Sequence, residues 1–120
     1  MPARLVVASL SAVAVVVAVL ALRTDHRCSD AKAKARSAPR AELATIADET
    51  AARCGDPRDS AVVTLVLTAR GQRATALRLA RRMTLAHPDD YLGWLIVWRL
   101  SGDRAAHARA AALNPRGTPS

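Results

Sequence analysis

The sequence predicts an all-α protein, in which one N-terminal transmembrane helix precedes about six short helices paired in two to three antiparallel hairpins. Eighteen consecutive uncharged residues form the first segment. Helix breakers divide the rest of the chain into stretches of about ten to sixteen residues, a usual helix length. Only Ala61 to Leu67 has the β-branched composition of a strand. No second strand is available to pair with it, so we expect a buried helix there.

The first element runs from Leu5 to Leu22 (LVVASLSAVAVVVAVLAL) and is just long enough to cross the hydrocarbon core of a bilayer. A soluble helix this apolar would need a large protein around it, which the remaining residues do not provide. Two interpretations stay open: an uncleaved signal anchor, and a signal peptide that is cleaved before Leu22, with Val19 and Ala21 as the small residues at positions −3 and −1. The anchor is favoured because the run exceeds the usual signal-peptide core of about 7 to 15 residues.

The later helices are separated by clusters of Gly, Pro, Ser, Asp and Asn. Aspartates fall at the predicted helix starts, where unpaired backbone amides favour an acceptor and a negative charge. The breaks are at Ser37 to Pro39, Cys54 to Pro57, Gly71, His87 to Asp90, Ser101 to Asp103, and Asn114 to Pro115.

One spacing pattern in this region is informative. Beginning at Gly71, residues follow at intervals of 5, 4, 3, 5 and 6, namely Ala76, Ala80, Met83, Pro88 and Trp94. The glycine permits a tight turn between two helices, the alanine permits their close approach, and the proline ends the second helix. The pattern resembles a tetratricopeptide repeat. Such a repeat has a glycine in the turn, then a small, a bulky and a second small residue on the second helix, and a proline at its end. The next repeat opens with a tryptophan.

The resemblance covers one full repeat, Asp59 to Pro88, and one abbreviated repeat, Asp89 to Pro115. Ala80 is smaller and Met83 larger than the residues usual in that family, and Pro115 stands where a repeat would end. The resemblance implies stacked helical hairpins that offer a groove or ridge to a partner protein. Another small helical bundle is the alternative.

The two cysteines lie on either side of Pro39. Cys28 is eleven residues before it and Cys54 fifteen after it, so both approach the open end of an antiparallel hairpin that turns there. A disulfide would close a loop of about 26 residues and stabilise the fold by about 3 kcal/mol in the loop-entropy model. Two unrelated thiols are the alternative, and zinc or thioredoxin-type chemistry has little support.

The cysteines and the charges that follow the apolar run predict opposite membrane orientations. A disulfide would place the domain in an oxidising exterior or periplasm, whereas the positive-inside tendency would place it in the cytoplasm. We expect the exterior, because a short N-terminal tail with Arg4 resembles the start of a signal sequence. The charges that favour the cytoplasm follow the apolar run: Arg23, Arg27, Lys32, Lys34, Arg36 and Arg40.

The sequence gives little support for catalysis, a metal site or a cofactor. None of His26, His87 and His107 has a second ligand at helical spacing. Asp89 and Asp90 are adjacent at a helix start, as capping residues are. The five glycines are scattered and form no phosphate-binding loop. We therefore expect a protein that is not an enzyme.

The three aromatic residues, Tyr91, Trp94 and Trp98, all fall on one short helix. That helix is apolar on more faces than it can bury within the chain, and Trp98 stands where the repeat pattern has a small residue. We predict that Tyr91 or Trp98 is partly exposed and packs on a partner or on a second copy. Because these aromatics do not interleave with basic residues, nucleic acid is not favoured despite the net charge of +8.

Three functional hypotheses follow. The first is a membrane-anchored adaptor of the bacterial cell envelope, in contact with the lipid bilayer and with a protein partner. The second is a secreted basic module that binds an anionic surface or polymer, and the third is a cytosol-facing binder of nucleic acid or acidic lipid. The expected organisation is a tail (1–4), an anchor (5–22), a hairpin with the candidate disulfide (23–57), tetratricopeptide-like hairpins (58–115) and a flexible tail (116–120).

Overall fold

A computed structural model describes the backbone of residues 2–119 and the side chains of residues 11–20 and 27–119. The described chain is all-α, which confirms the predicted class. It contains six α-helices and one short 3-10 helix at Arg40–Glu42. The α-helices are α1 (Pro2–Ser37), α2 (Leu43–Arg53), α3 (Pro57–Ala69), α4 (Arg73–Ala86), α5 (Tyr91–Ser101) and α6 (Arg104–Leu113).

Helix α1 is continuous through the boundary between the predicted anchor and the first hairpin. No break occurs near residue 22, so the apolar segment and the helix that carries Cys28 are one element. In the part of the chain that the structure describes, no helix is long and apolar enough to cross a membrane. The predicted span, Leu5 to Leu22, lies partly outside the described side chains, and the anchor stays a prediction.

The helices form three antiparallel hairpins that stack in chain order. The hairpins are α1 with α2, α3 with α4, and α5 with α6. Between neighbours, α3 packs on α1 and α5, and α4 packs on α2 and α5. This arrangement is compatible with a helical-hairpin repeat.

Aspartates stand at the starts of three helices and glycines at the ends of two, as the sequence predicts. Asp56, Asp90 and Asp103 precede α3, α5 and α6, and each carboxylate accepts a hydrogen bond from the backbone amide two residues later, at 2.8 to 2.9 Å. Gly71 (φ 76°) and Gly102 (φ 74°) adopt the left-handed conformation that ends α3 and α5. The segment from Ala61 to Leu67 is helical, as predicted, and lies within α3. It is not buried throughout, because Val62 and Leu65 are exposed.

The core is built mainly from small and branched side chains. Leu43, Val63, Leu67 and Leu79 are at most 2% exposed and join α2, α3 and α4 in one cluster with Ala35 of α1. A second cluster joins α4, α5 and α6 through Ala80, Val97 and Ala106. The alanines permit close helix approach, so the three hairpins pack together through these two clusters.

Candidate functional site

The turn between α3 and α4 connects all three hairpins. Gly71 occupies the turn, and the backbone amide of Gln72 donates to the carbonyl of Leu67 at 2.8 Å. Arg70, before the glycine, donates from Nη1 to the carbonyl oxygens of Ala35 and Ala38 at the end of α1, at 3.1 and 2.6 Å. These bonds fix the first hairpin against the second.

Arg73, on the other side of the same turn, fixes the third hairpin. Its Nε and Nη2 donate to the carbonyl oxygen of Leu100 at 2.9 and 2.7 Å. Unpaired carbonyls at a helix end carry partial negative charge, so a guanidinium stabilises them. Neither arginine could be identified from the sequence, because nothing in the local pattern shows which distant helix end each side chain reaches.

The remaining residues of the repeat pattern lie at the contact of α4 with its neighbours. Ala76, Ala80 and Met83 are buried on one face of α4. At the crossing with α5, a Cβ added to Gly93 would lie 3.2 Å from Cγ2 of Thr84 and 3.3 Å from its backbone nitrogen. The same Cβ would lie 3.4 Å from Cβ of Met83, so the two helices approach closely at the position where the pattern has its second small residue.

The proline and tryptophan of the pattern contact each other. Trp94 donates from Nε1 to the carbonyl oxygen of Pro88 at 2.9 Å, and its ring packs on the second core cluster. This contact ties the loop after α4 to the first turn of α5. Pro115 is exposed beyond the end of α6 and has no comparable role.

The predicted disulfide is confirmed. Cys28 of α1 and Cys54 after α2 are bonded, and both are buried. The bond closes the first hairpin at the end opposite to the turn at Pro39, as the spacing predicts.

Helix α3 presents an apolar surface that the described residues of the chain leave uncovered. Val62, Leu65 and Ala69 recur at intervals of three and four residues and share one face, with Leu65 65% exposed. Asp59 points toward α1, where it binds Lys32 at 2.7 Å. Since α3 contacts both α1 and α5, its exposed face lies between these helices.

The neighbouring surface of α5 continues this face. Leu100 packs on the core cluster that includes α3, Gly93 lies against α4, and Trp98 contacts α6. The outer side left by these contacts carries Leu92, Leu95 and Arg99 at helical intervals. We name the combined surface the α3–α5 face, which consists of Arg58, Val62, Leu65, Ala69, Leu92, Leu95 and Arg99.

The predicted contact residues Tyr91 and Trp98 are both half-buried. The ring of Trp98 lies 4.3 Å from that of His107, and the guanidinium of Arg99 lies 5.5 Å from its centroid. Trp98 therefore has contacts within the chain on α5 and α6. Its contact with a partner stays a prediction, and the α3–α5 face is the surface that sequence analysis missed.

Ion pairs between helices neutralise part of the basic surface. Arg82 binds Asp48 at 2.9 Å, and Arg109 lies 3.8 Å from Asp89. Within the described residues, no group of three or more His, Cys, Asp or Glu side chains could hold a metal ion.

Comparison with known proteins gives no relative. The chain matches no protein-family model, no curated protein and no solved structure.

Proposed function

We propose that the chain is a membrane-anchored, non-enzymatic adaptor whose tetratricopeptide-like hairpins bind another protein at the cell envelope. The observation that carries the proposal is the exposed apolar stripe of Val62, Leu65 and Ala69 on a helix that also contacts α1, α2, α4 and α5. An apolar stripe on a rigid scaffold is typical of a docking surface for an amphipathic segment.

The charges on the α3–α5 face indicate the kind of partner. Arg58 precedes the apolar stripe of α3, and Arg99 lies at the distal end of the α5 surface. A segment with apolar residues and a carboxylate near each end would match this pattern, since opposite charges at the rim favour encounter and fix the register. We propose an acidic amphipathic helix as the partner segment.

The N-terminal segment supports a membrane location. Residues 11–20 are exposed along their whole length, including Val13, Val15 and Leu20 at 61%, 62% and 57%. Such a surface is stable when lipid covers it. We propose that the domain lies on the extracytoplasmic side, because a buried disulfide persists in oxidising compartments.

Site-specific crosslinking tests the adaptor function. A photo-crosslinking amino acid at Leu65 is expected to give a discrete protein adduct in intact membranes, because this side chain would lie inside the interface. The same amino acid at Arg78, an exposed position of α4, is the control and should give no such adduct. Equal crosslinking at the two positions would contradict the proposal.

A further inference from the structure

A pocket of about 600 Å³ lies between the C-terminal ends of α2 and α4, away from the α3–α5 face. Its apolar wall includes Ala51, Leu79 and Met83. The volume is within the range of small-molecule sites, about 300 to 1,000 Å³.

Two arginines line this pocket. Arg53 and Arg82 have side chains that are 41% and 47% exposed. The carboxylate nearest to Arg53 is that of Glu49, at 3.9 Å, and Arg82 binds Asp48 through Nη1. A guanidinium has five N–H donors, so both retain donors for an anion. An apolar cavity with cations at its rim favours an amphiphile with a negatively charged head.

The pocket lies at the end of the domain nearest to the N-terminal apolar segment. Cys54 lines it and is bonded to Cys28, which lies six residues after Leu22 on the continuous helix α1. At the helical rise, six residues correspond to about 9 Å. If the segment spans the membrane as proposed, the pocket therefore lies at the lipid surface, and this step rests on the proposed function.

An exposed apolar side chain connects the pocket to that surface. Leu85, near the C-terminal end of α4, lines the pocket and is 83% exposed. An acyl chain that entered beside Leu85 would exchange one apolar environment for another, at little cost in hydrophobic free energy.

We infer that this pocket binds one acyl chain of an anionic phospholipid from the adjacent leaflet, with the lipid phosphate against Arg53 and Arg82. The phosphate matches the planar donor geometry of the two guanidinium groups. The domain would then be held to the bilayer by a bound lipid as well as by its helix.

Photolabelling in nanodiscs tests this inference with the full chain. The discs contain phosphatidylcholine and a phosphatidylglycerol that carries a diazirine in one acyl chain, and mass spectrometry locates the adducts. Adducts are expected on Leu79, Met83 and Leu85. The R53Q/R82Q double variant should lower their yield by about fivefold or more, since each basic side chain near an anionic lipid contributes measurably. A52F should also lower their yield, because Ala52 is exposed at the pocket and a phenylalanine ring would occupy part of it.

Two control variants are matched to these changes. R81Q removes an exposed arginine of α4 outside the pocket, and A44F adds the same ring at an exposed position of α2. Both should label like the unaltered chain. Equal labelling in A52F, or equal labelling by a diazirine phosphatidylcholine, would overturn the inference. A chain that fails to elute with the discs would instead overturn the membrane anchor, so the two failures are distinguishable.

Discussion

The guanidinium of Arg70 donates a hydrogen bond of 2.6 Å to the carbonyl oxygen of Ala38, although the two residues are 32 positions apart. The bond connects the end of α3 to the end of α1. Together with Arg73, which reaches Leu100, it makes the turn at Gly71 the place where three hairpins meet. The stacking of the hairpins thus depends on polar contacts at one edge as well as on the apolar core.

Arg70→Ala is expected to lower the free energy of unfolding by about 1 to 3 kcal/mol, because two carbonyls at the end of α1 lose a charged donor. Thermal unfolding of the full chain in nanodiscs, followed by circular dichroism, measures the change. Arg78→Ala removes an exposed arginine of α4 and should change stability by less than about 0.5 kcal/mol. Similar losses in the two variants would contradict the role assigned to Arg70.

Gly71→Ala is expected to cost about 1 to 2 kcal/mol, since the backbone φ of 76° is strained for a residue with a Cβ. Gly55→Ala is the matched control. Gly55 does not have a positive φ, and a Cβ built there meets nothing within 4 Å. If both variants unfold at the temperature of the parent chain, the turn does not require glycine.

Removal of the disulfide with the C28S/C54S double variant is expected to destabilise the domain by about 3 kcal/mol in the loop-entropy model. The free energy of unfolding of the parent chain should fall by a similar amount on addition of a reductant. The double variant itself should not respond to reductant. A parent chain that is insensitive to reductant would show that the bond contributes little to stability.

The proposed extracytoplasmic orientation predicts a specific labelling pattern. In intact cells, a membrane-impermeant thiol reagent should label Cys28 and Cys54 only after reduction, since the disulfide blocks both thiols. Labelling that requires cell lysis, with or without reductant, would place the domain in the cytoplasm and favour the third functional hypothesis.

The fold could be predicted largely because its signals are local. The capping aspartates, the glycine at residue 71 and the break at Pro39 mark helix ends directly. The disulfide could be inferred because the two cysteines lie in one hairpin. Contacts between hairpins carried no such signal, and neither Arg70 nor Arg73 could be distinguished from other surface arginines.

The α3–α5 face was missed for a different reason. The sequence of α3 is apolar on nearly every side, so its pattern does not show which valines and leucines remain exposed. Val63 and Leu67 are fully buried while Leu65 is 65% exposed, and this difference depends on where α1, α4 and α5 pack. The prediction therefore emphasised Trp98, whose ring is partly covered by His107.

The most direct test of the adaptor proposal places a crosslinker on one helix of the α3–α5 face and a substitution on the other. A photo-crosslinking amino acid at Leu95 of α5 reports the partner, while a second substitution alters either Leu65 of α3 or Ala74, an exposed residue of α4 outside both the face and the pocket. L65D should abolish the adduct, because a carboxylate in the apolar stripe repels an acidic amphipathic partner, and A74D should leave its yield unchanged. An adduct that persists in L65D, or that A74D abolishes, would contradict the proposal that α3 and α5 form one binding surface.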